Sequence, residues 1–192
     1  MNVVTRAAMT VEAFLDWEER QELRYEFDGM APRAMVGGTA AHAGIQANLL
    51  VALGTRLRGN PCRPFGSELK LRLAHSVRYP DAMVICTPVA PRATWVTDPT
   101  VVFEILSEST AHQDMVVKNA EYEATPSIQR YVIIEQTHKG ALVFARKGGE
   151  WVGTALAGDD AVLCMPEIGI EIPLSELYEG VGLVSDATAE PL

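Results

Sequence analysis

Two carboxylates stand inside apolar runs of this chain. Asp81 lies in Tyr79-Pro80-Asp81-Ala82-Met83-Val84-Ile85-Cys86, and Glu104 in Val101-Val102-Phe103-Glu104-Ile105-Leu106. Both runs predict β-strands. Strand interiors seldom keep a lone acid, because an unpaired buried charge is costly or neutralises itself through a shifted pKa. On strict alternation Asp81 shares a face with Met83 and Ile85, and Glu104 shares one with Val102 and Leu106. If the strands are neighbours, the carboxylates converge. Converging carboxylates repel unless a cation sits between them, and hard oxygen donors suit Mg²⁺. The same spacing also allows each acid to lie at a strand end and meet solvent.

The order Pro80-Asp81, Glu104-Ile105-Leu106, Lys118 resembles the PD-(D/E)xK nuclease superfamily with a displaced lysine. Further segments resemble one branch of it, the Uma-two family of restriction-endonuclease-like proteins. These are Met9–Phe14, Arg24–Gly29, Arg78–Asp81, Val102–Thr110 and Tyr131–Ile134, together spanning roughly residues 9–180. The resemblance implies an α/β fold with a central mixed β-sheet flanked by helices. It implies Mg²⁺ or Mn²⁺ as cofactor, DNA as substrate, and a homodimer that cuts two strands. By the same resemblance Asp81 and Glu104 are the metal ligands, and Glu26 is an auxiliary carboxylate. The superfamily places its lysine two residues after the second acid, where this chain has Leu106. Lys118 is then expected to position the water and stabilise charge. Lys118→Ala is expected to abolish cleavage while leaving the fold and Mn²⁺ binding nearly intact. The alternative is an ordinary surface lysine paired with Asp114. A catalytically inactive relative, keeping the fold to bind nucleic acid or protein, is the alternative. An enzyme acting on another phosphate ester also fits these residues.

The 192 residues, 48% of them apolar, suit one domain with a sizeable core, over about residues 10–180 with tails at 1–8 and 185–192. No apolar run approaches the ~18 residues of a membrane span, and residues 1–9 lack a signal-peptide core. Cys62, Cys86 and Cys164 fit no Cys-x-x-Cys pattern and read as reduced thiols of a cytoplasmic protein. A net charge of −9 argues against simple nonspecific nucleic-acid binding. The charge is uneven, however. Arg56, Arg58, Arg63, Lys70, Arg72 and Arg78 surround a single acid, Glu68, while residues 12–28 are strongly acidic. The basic stretch is either a phosphate-facing patch or a solvated strand face.

The elements that must position these groups follow in order. Thr10 caps a short helix with a Val11, Phe14, Leu15 stripe. Tyr25-Glu26-Phe27 alternates as a strand, Asp28-Gly29 turns, and a second strand covers residues 30–36. Thr39 caps a helix to about Leu57, with Ile45, Leu49, Leu53 and Leu57 on one face. His42, in its first turn, lacks a partner at ligand spacing and reads as a hydrogen-bonding or helix-start residue. Leu69, Leu71 and Leu73 form the core face of a half-exposed strand. One strand covers residues 77–86. A Pro-rich loop at 87–99 follows, with Trp95 as its anchor or a base-stacking residue. Ser107–Thr110 joins the Glu104 strand to a helix over Gln113–Ala124. A buried strand at 130–136 opens a β-meander that extends the sheet, and a short helix capped by Ser175 ends it.

Overall fold

A computed structural model describes residues 9–35, 37–106 and 113–183. The expected Ser107–Thr110 joint and both tails lie outside the described residues.

The α/β expectation holds, with three sheets in place of one central sheet. Helix α1 (Val11–Glu18) starts at Thr10, whose side chain accepts the Ala13 amide. Strands β1 (Tyr25–Phe27) and β2 (Pro32–Ala34) form a hairpin. Asp28 closes its turn by accepting the Met30 and Ala31 amides. Gly29 there has φ +86°, and a Cβ would sit 3.0 Å from the His75 carbonyl oxygen, so only glycine fits without strain. Helix α2 (Ala40–Arg56) runs from its Thr39 cap and buries Ile45, Leu49 and Leu53 completely.

The larger sheet has the order β11-β10-β9-β8-β6-β3. Its members are β3 (Arg63–Gly66), β6 (Ala82–Ile85), β8 (Val101–Ile105), β9 (Arg130–Ile134), β10 (Gly140–Lys147) and β11 (Glu150–Ala157). β6 and β8, the strands beside Asp81 and Glu104, are antiparallel neighbours, with Ala82 opposite Phe103. β8 and β9 are parallel. Their crossover includes a π-helical segment, Gln113–Lys118, that continues into α3 (Asn119–Glu123). One sheet face, with Val84, Val101, Phe103 and Ile105, packs on α2 and on α4 (Leu174–Leu177). The other, with Met83, Val102, Tyr131 and Ile133, packs on Tyr122 of α3 and on the smaller sheet.

That smaller sheet has the order β2-β1-β5-β4-β7 and includes β4 (Lys70–Arg72), β5 (Val77–Arg78) and β7 (Trp95–Val96). The expected single strand over 77–86 is therefore two strands in two sheets. Pro80 lacks a ladder donor, and the chain crosses between sheets at Tyr79-Pro80-Asp81. Asp81 consequently precedes β6 and is not interior to a strand. The meander extends the larger sheet through β11, while β12 (Val162–Met165) and β13 (Ile170–Pro173) form a separate pair. α4 follows Pro173 with no side-chain cap, so Ser175 does not have the expected role. Trp95 lies under the Arg72 guanidinium, 5.0 Å from its ring centroid.

Two expectations about single residue types change. The polar face of β4 is not wholly solvated: Lys70 is buried, with its ammonium 2.9 Å from Glu18 Oε2. Cys62 and Cys86 are not reduced. They form a disulfide where β3 leaves β6, because the register that pairs Arg63 with Ile85 brings them opposite one another. Cysteine usage thus gives no argument for a reducing compartment. No helix among the described residues is long and apolar enough to cross a membrane. Thiol titration without reductant should find one reactive cysteine per chain, Cys164, and three after reduction in denaturant. Closing a loop of sequence separation 24 should contribute about 3.5 kcal/mol of stability, read as a loss in the Cys62→Ala/Cys86→Ala chain. Three reactive thiols in the untreated native protein would exclude the bond.

Candidate active site

Strand alternation that buries Phe103 and Ile105 on the α2 side turns Glu104 to the opposite face, where only 4% of the residue is exposed. A carboxylate there requires charged or hydrogen-bonding partners. Lys118 supplies one, with Nζ 2.8 Å from Glu104 Oε1. Tyr122 supplies another, donating its hydroxyl to the same oxygen at 3.1 Å. Lys118 ends the π-helical segment and Tyr122 lies in the α-helix that follows. Such π segments are rare and tend to occur where a side chain must be re-aimed for function. Burial and the Glu104 carboxylate hold the Tyr122 hydroxyl well above the ordinary phenol range, so it stays a donor.

Glu26 reaches the same cluster from β1. Its Oε1 lies 3.5 Å from Lys118 Nζ and accepts the Tyr79 amide at 3.0 Å. Its Oε2 accepts Arg78 Nη1 at 3.3 Å. Arg78, from β5, has no exposed surface. It also forms a bidentate pair with Glu121 of α3, at 2.8 and 2.7 Å. Charges therefore alternate along one buried line: Glu121, Arg78, Glu26, Lys118, Glu104. Burial raises the Glu26 pKa, but Lys118 and Arg78 together outweigh it and hold the group below its usual value of 4.5.

Asp81 approaches the neighbouring position on β8. Its Oδ2 accepts the Ile105 amide at 2.7 Å and lies 3.2 Å from His42 Nε2. Its other oxygen accepts no hydrogen bond among the described residues. Gln46 of α2 donates to the Asp81 carbonyl at 2.8 Å, fixing the backbone there. The α2 amino end thus adds His42 and Gln46 to the site. Sequence spacing gave His42 no partner because Asp81 is supplied by a distant element.

The basic stretch does not form a patch at this site. Arg56 pairs with Glu176, Lys70 with Glu18 and Arg72 with Glu12. Arg58 and Arg63 are exposed together beside a groove at the Cys62 end of β3, while Gly66, at the other end, neighbours Asp81. Only Arg78 reaches the acids, and it is buried. The basic side chains of this stretch therefore do not converge into a phosphate-facing surface at the acids. The opposite signal, an arginine inside the apolar run Val77-Arg78-Tyr79, marked a residue needing buried acids.

Lys118 is also not a surface lysine, since only 4% of it is exposed. Lys118→Ala would leave Glu26 and Glu104 without their shared cation. It should destabilise the fold by about 3–5 kcal/mol, measurable by urea unfolding; a neutral result would remove the ammonium from this network. Acid should act through Glu26 in the same network. Its folded pKa is depressed, so its stabilising contribution is complete above the unfolded value of about 4.5 and is lost as pH falls through the lower folded value. Urea midpoints of wild type should drop over this range, and Glu26→Gln should flatten that drop.

Comparison with known proteins agrees with this architecture. Two uncharacterized proteins of Synechocystis sp. (strain PCC 6803) are each 30% identical to this chain. One match covers 90% of this chain and 93% of the relative, the other 84% and 94%. A crystal structure described as a putative nuclease belonging to DUF820, from Anabaena variabilis, superposes with a TM-score of 0.76 at 16% identity. That match covers 90% of this chain and 98% of the other, and so shows a shared fold. The profile of the Uma2 family, described as "putative restriction endonuclease", matches residues 11–175. With that match across nearly all of the described fold, the chain belongs to the Uma2 family.

Proposed function

We propose that this protein is an endonuclease that hydrolyses DNA phosphodiester bonds with Mg²⁺ or Mn²⁺ held by Asp81 and Glu104. The observation that carries the reading is the Lys118 ammonium, 2.8 Å from Glu104 although Leu106 occupies the superfamily's lysine position. Family membership supports phosphodiester hydrolysis as the reaction class.

The donor set fits a divalent cation on two grounds. Among the described residues Glu104, Glu26 and Glu121 share two buried cations, Lys118 and Arg78, and Asp81 lies beside them at Ile105, so acids outnumber lysine and arginine there. In addition, one Asp81 oxygen accepts no hydrogen bond among the described residues. No group of three or more His, Cys, Asp or Glu side chains among the described residues forms a complete cage. Mg²⁺ does not require one, because it commonly binds through one or two carboxylates and completes its shell with water and substrate phosphate.

A bound divalent ion would act as a Lewis acid on the phosphate and ease deprotonation of water. The protein's part is positioning and charge. Lys118 places a fixed positive charge beside Glu104, where it can orient the attacking water and offset charge growing on the phosphate. Tyr122 fixes the Glu104 carboxylate by donating to it. Glu26, itself anchored by Arg78, pairs with Lys118 and helps hold it in place. Ile105 N–H and His42 orient Asp81.

The scattered basic residues favour a second reading, a relative that keeps this fold without cutting nucleic acid. An assay of supercoiled, linear and single-stranded DNA separates the two. Wild type should nick or cut with Mg²⁺ or Mn²⁺ and be silent in chelator. Asp81→Asn should lower the rate at least about 100-fold and weaken Mn²⁺ binding in calorimetry. Lys118→Gln should lower the rate comparably while Mn²⁺ still binds. Cleavage that persists in chelator or in Asp81→Asn would refute the metal role. A wild type that neither cuts any DNA form nor binds Mn²⁺ would establish the second reading.

A further inference from the structure

The two edges of the six-stranded sheet are built differently. The β3 edge is four residues long and carries Arg63 and Pro64, which discourage pairing with another strand. The β11 edge is eight residues long, Glu150-Trp151-Val152-Gly153-Thr154-Ala155-Leu156-Ala157. After Glu150 it has no charge and no proline, and it pairs with β10 without interruption from Glu150 to Ala157. Among the described residues no strand pairs with its outer side, and such an edge is a template for another strand.

The ladder identifies the groups that face outward. Arg146 donates to Gln129 and Glu135 to Gly140, so the even-numbered residues of β10 bond to β9. The odd-numbered ones bond to β11, as the Gly158-to-Lys139 bond at 3.1 Å continues. In an antiparallel ladder only alternate residues exchange bonds with a given neighbour. The N–H and C=O groups of Trp151, Gly153, Ala155 and Ala157 therefore point away from the sheet.

We propose that β11 pairs antiparallel with β11 of a second copy of this chain, about a twofold axis at Thr154. Only outward residues can bond outward residues, which restricts the register to steps of two. The register centred on Thr154 bonds Trp151 to Ala157 and Gly153 to Ala155 in both directions, and so uses every outward group. It sets Val152 opposite Leu156 of the other copy, and Thr154 opposite its own counterpart. Apolar and Thr–Thr cross-strand pairs are favourable ones. The next register, centred on Gly153, would set Leu156 against Glu150. Charge at the ends agrees with the first register. In that register the exposed turn that follows Lys147 in one copy would lie against the exposed Asp160 of the other. Isologous pairing of this kind closes at two copies and joins the two sheets into one of twelve strands. It is independent of the catalytic reading.

The test is sedimentation velocity of the full chain across the micromolar range. Thr154 is exposed, so its substitution spares the core. Wild type should dimerise. Thr154→Lys and Thr154→Glu each set like charges face to face and should weaken the dimer several-fold, with thermal melting of the monomer unchanged. Mixing the two variants should restore dimer, because unlike charges then meet. A wild type that remains monomeric overturns the proposal. A dimer that both single variants keep also overturns it, since another surface or occupant would then be responsible.

Discussion

The burial of Arg78 is the constraint on which the centre of this molecule depends. A guanidinium cannot shed its proton, so removing it from water requires acids on every side it presents. Two carboxylates meet it, Glu121 from α3 and Glu26 from β1. Their charge, with burial opposing it, holds the arginine pKa above its usual value. Glu26 is then tied to Lys118, and Lys118 to Glu104. One line of ion pairs thus joins the hairpin sheet, the crossover helix and the central strand of the larger sheet. None of these elements can shift far without exposing a charge to an apolar interior.

This line also explains how the site tolerates its own composition. Glu104 would be an expensive residue in the middle of β8 if the strand were considered alone. The crossover between β8 and β9 offsets that expense by bringing Lys118 and Tyr122 back over the sheet. Lys118 and Tyr122 lie one α-helical turn apart, at i, i+4, so both reach one oxygen of Glu104. The opposite face is apolar and held by α2. Apolar packing therefore lies on one side of the sheet and the buried ion pairs on the other. The amino end of α2 crosses that division, since His42 and Gln46 both address Asp81.

Much of the architecture was legible in local patterns. Thr10 and Thr39 capped helices as their positions predicted, and the four-residue repeat from Ile45 to Leu57 marked the buried face of α2. The apolar runs around Met83 and Val102 became adjacent strands. The hairpin at Asp28-Gly29 followed from turn chemistry that acts over four residues. These signals are short-range, and tertiary context only reinforced them. The run from Val77 to Cys86 misled for the same reason. Its periodicity was continuous, while Pro80 and the pull of Glu26 on the Tyr79 amide divided it between two sheets.

By itself, the sequence determined which residues could do chemistry: an acid after Pro80, a second acid within a strand, a displaced lysine and Glu26 in reserve. It also determined that Glu104 would be costly to bury unpaired. Tertiary structure alone decided how that cost was met. Arg78 and Glu121 are separated by 43 residues, Glu26 and Arg78 by 52, and Lys118 and Glu104 by 14. Whether such groups meet depends on strand order and on the turn of one crossover helix, which no local spacing encodes. The basic stretch and the cysteines turned on the same point. Side chains that cluster or stand apart along the chain were redistributed by the fold, Arg56, Lys70 and Arg72 to separate acids and Cys62 to Cys86. Charge pairing and disulfide bonding act through space, and only the folded chain brings the partners within their range.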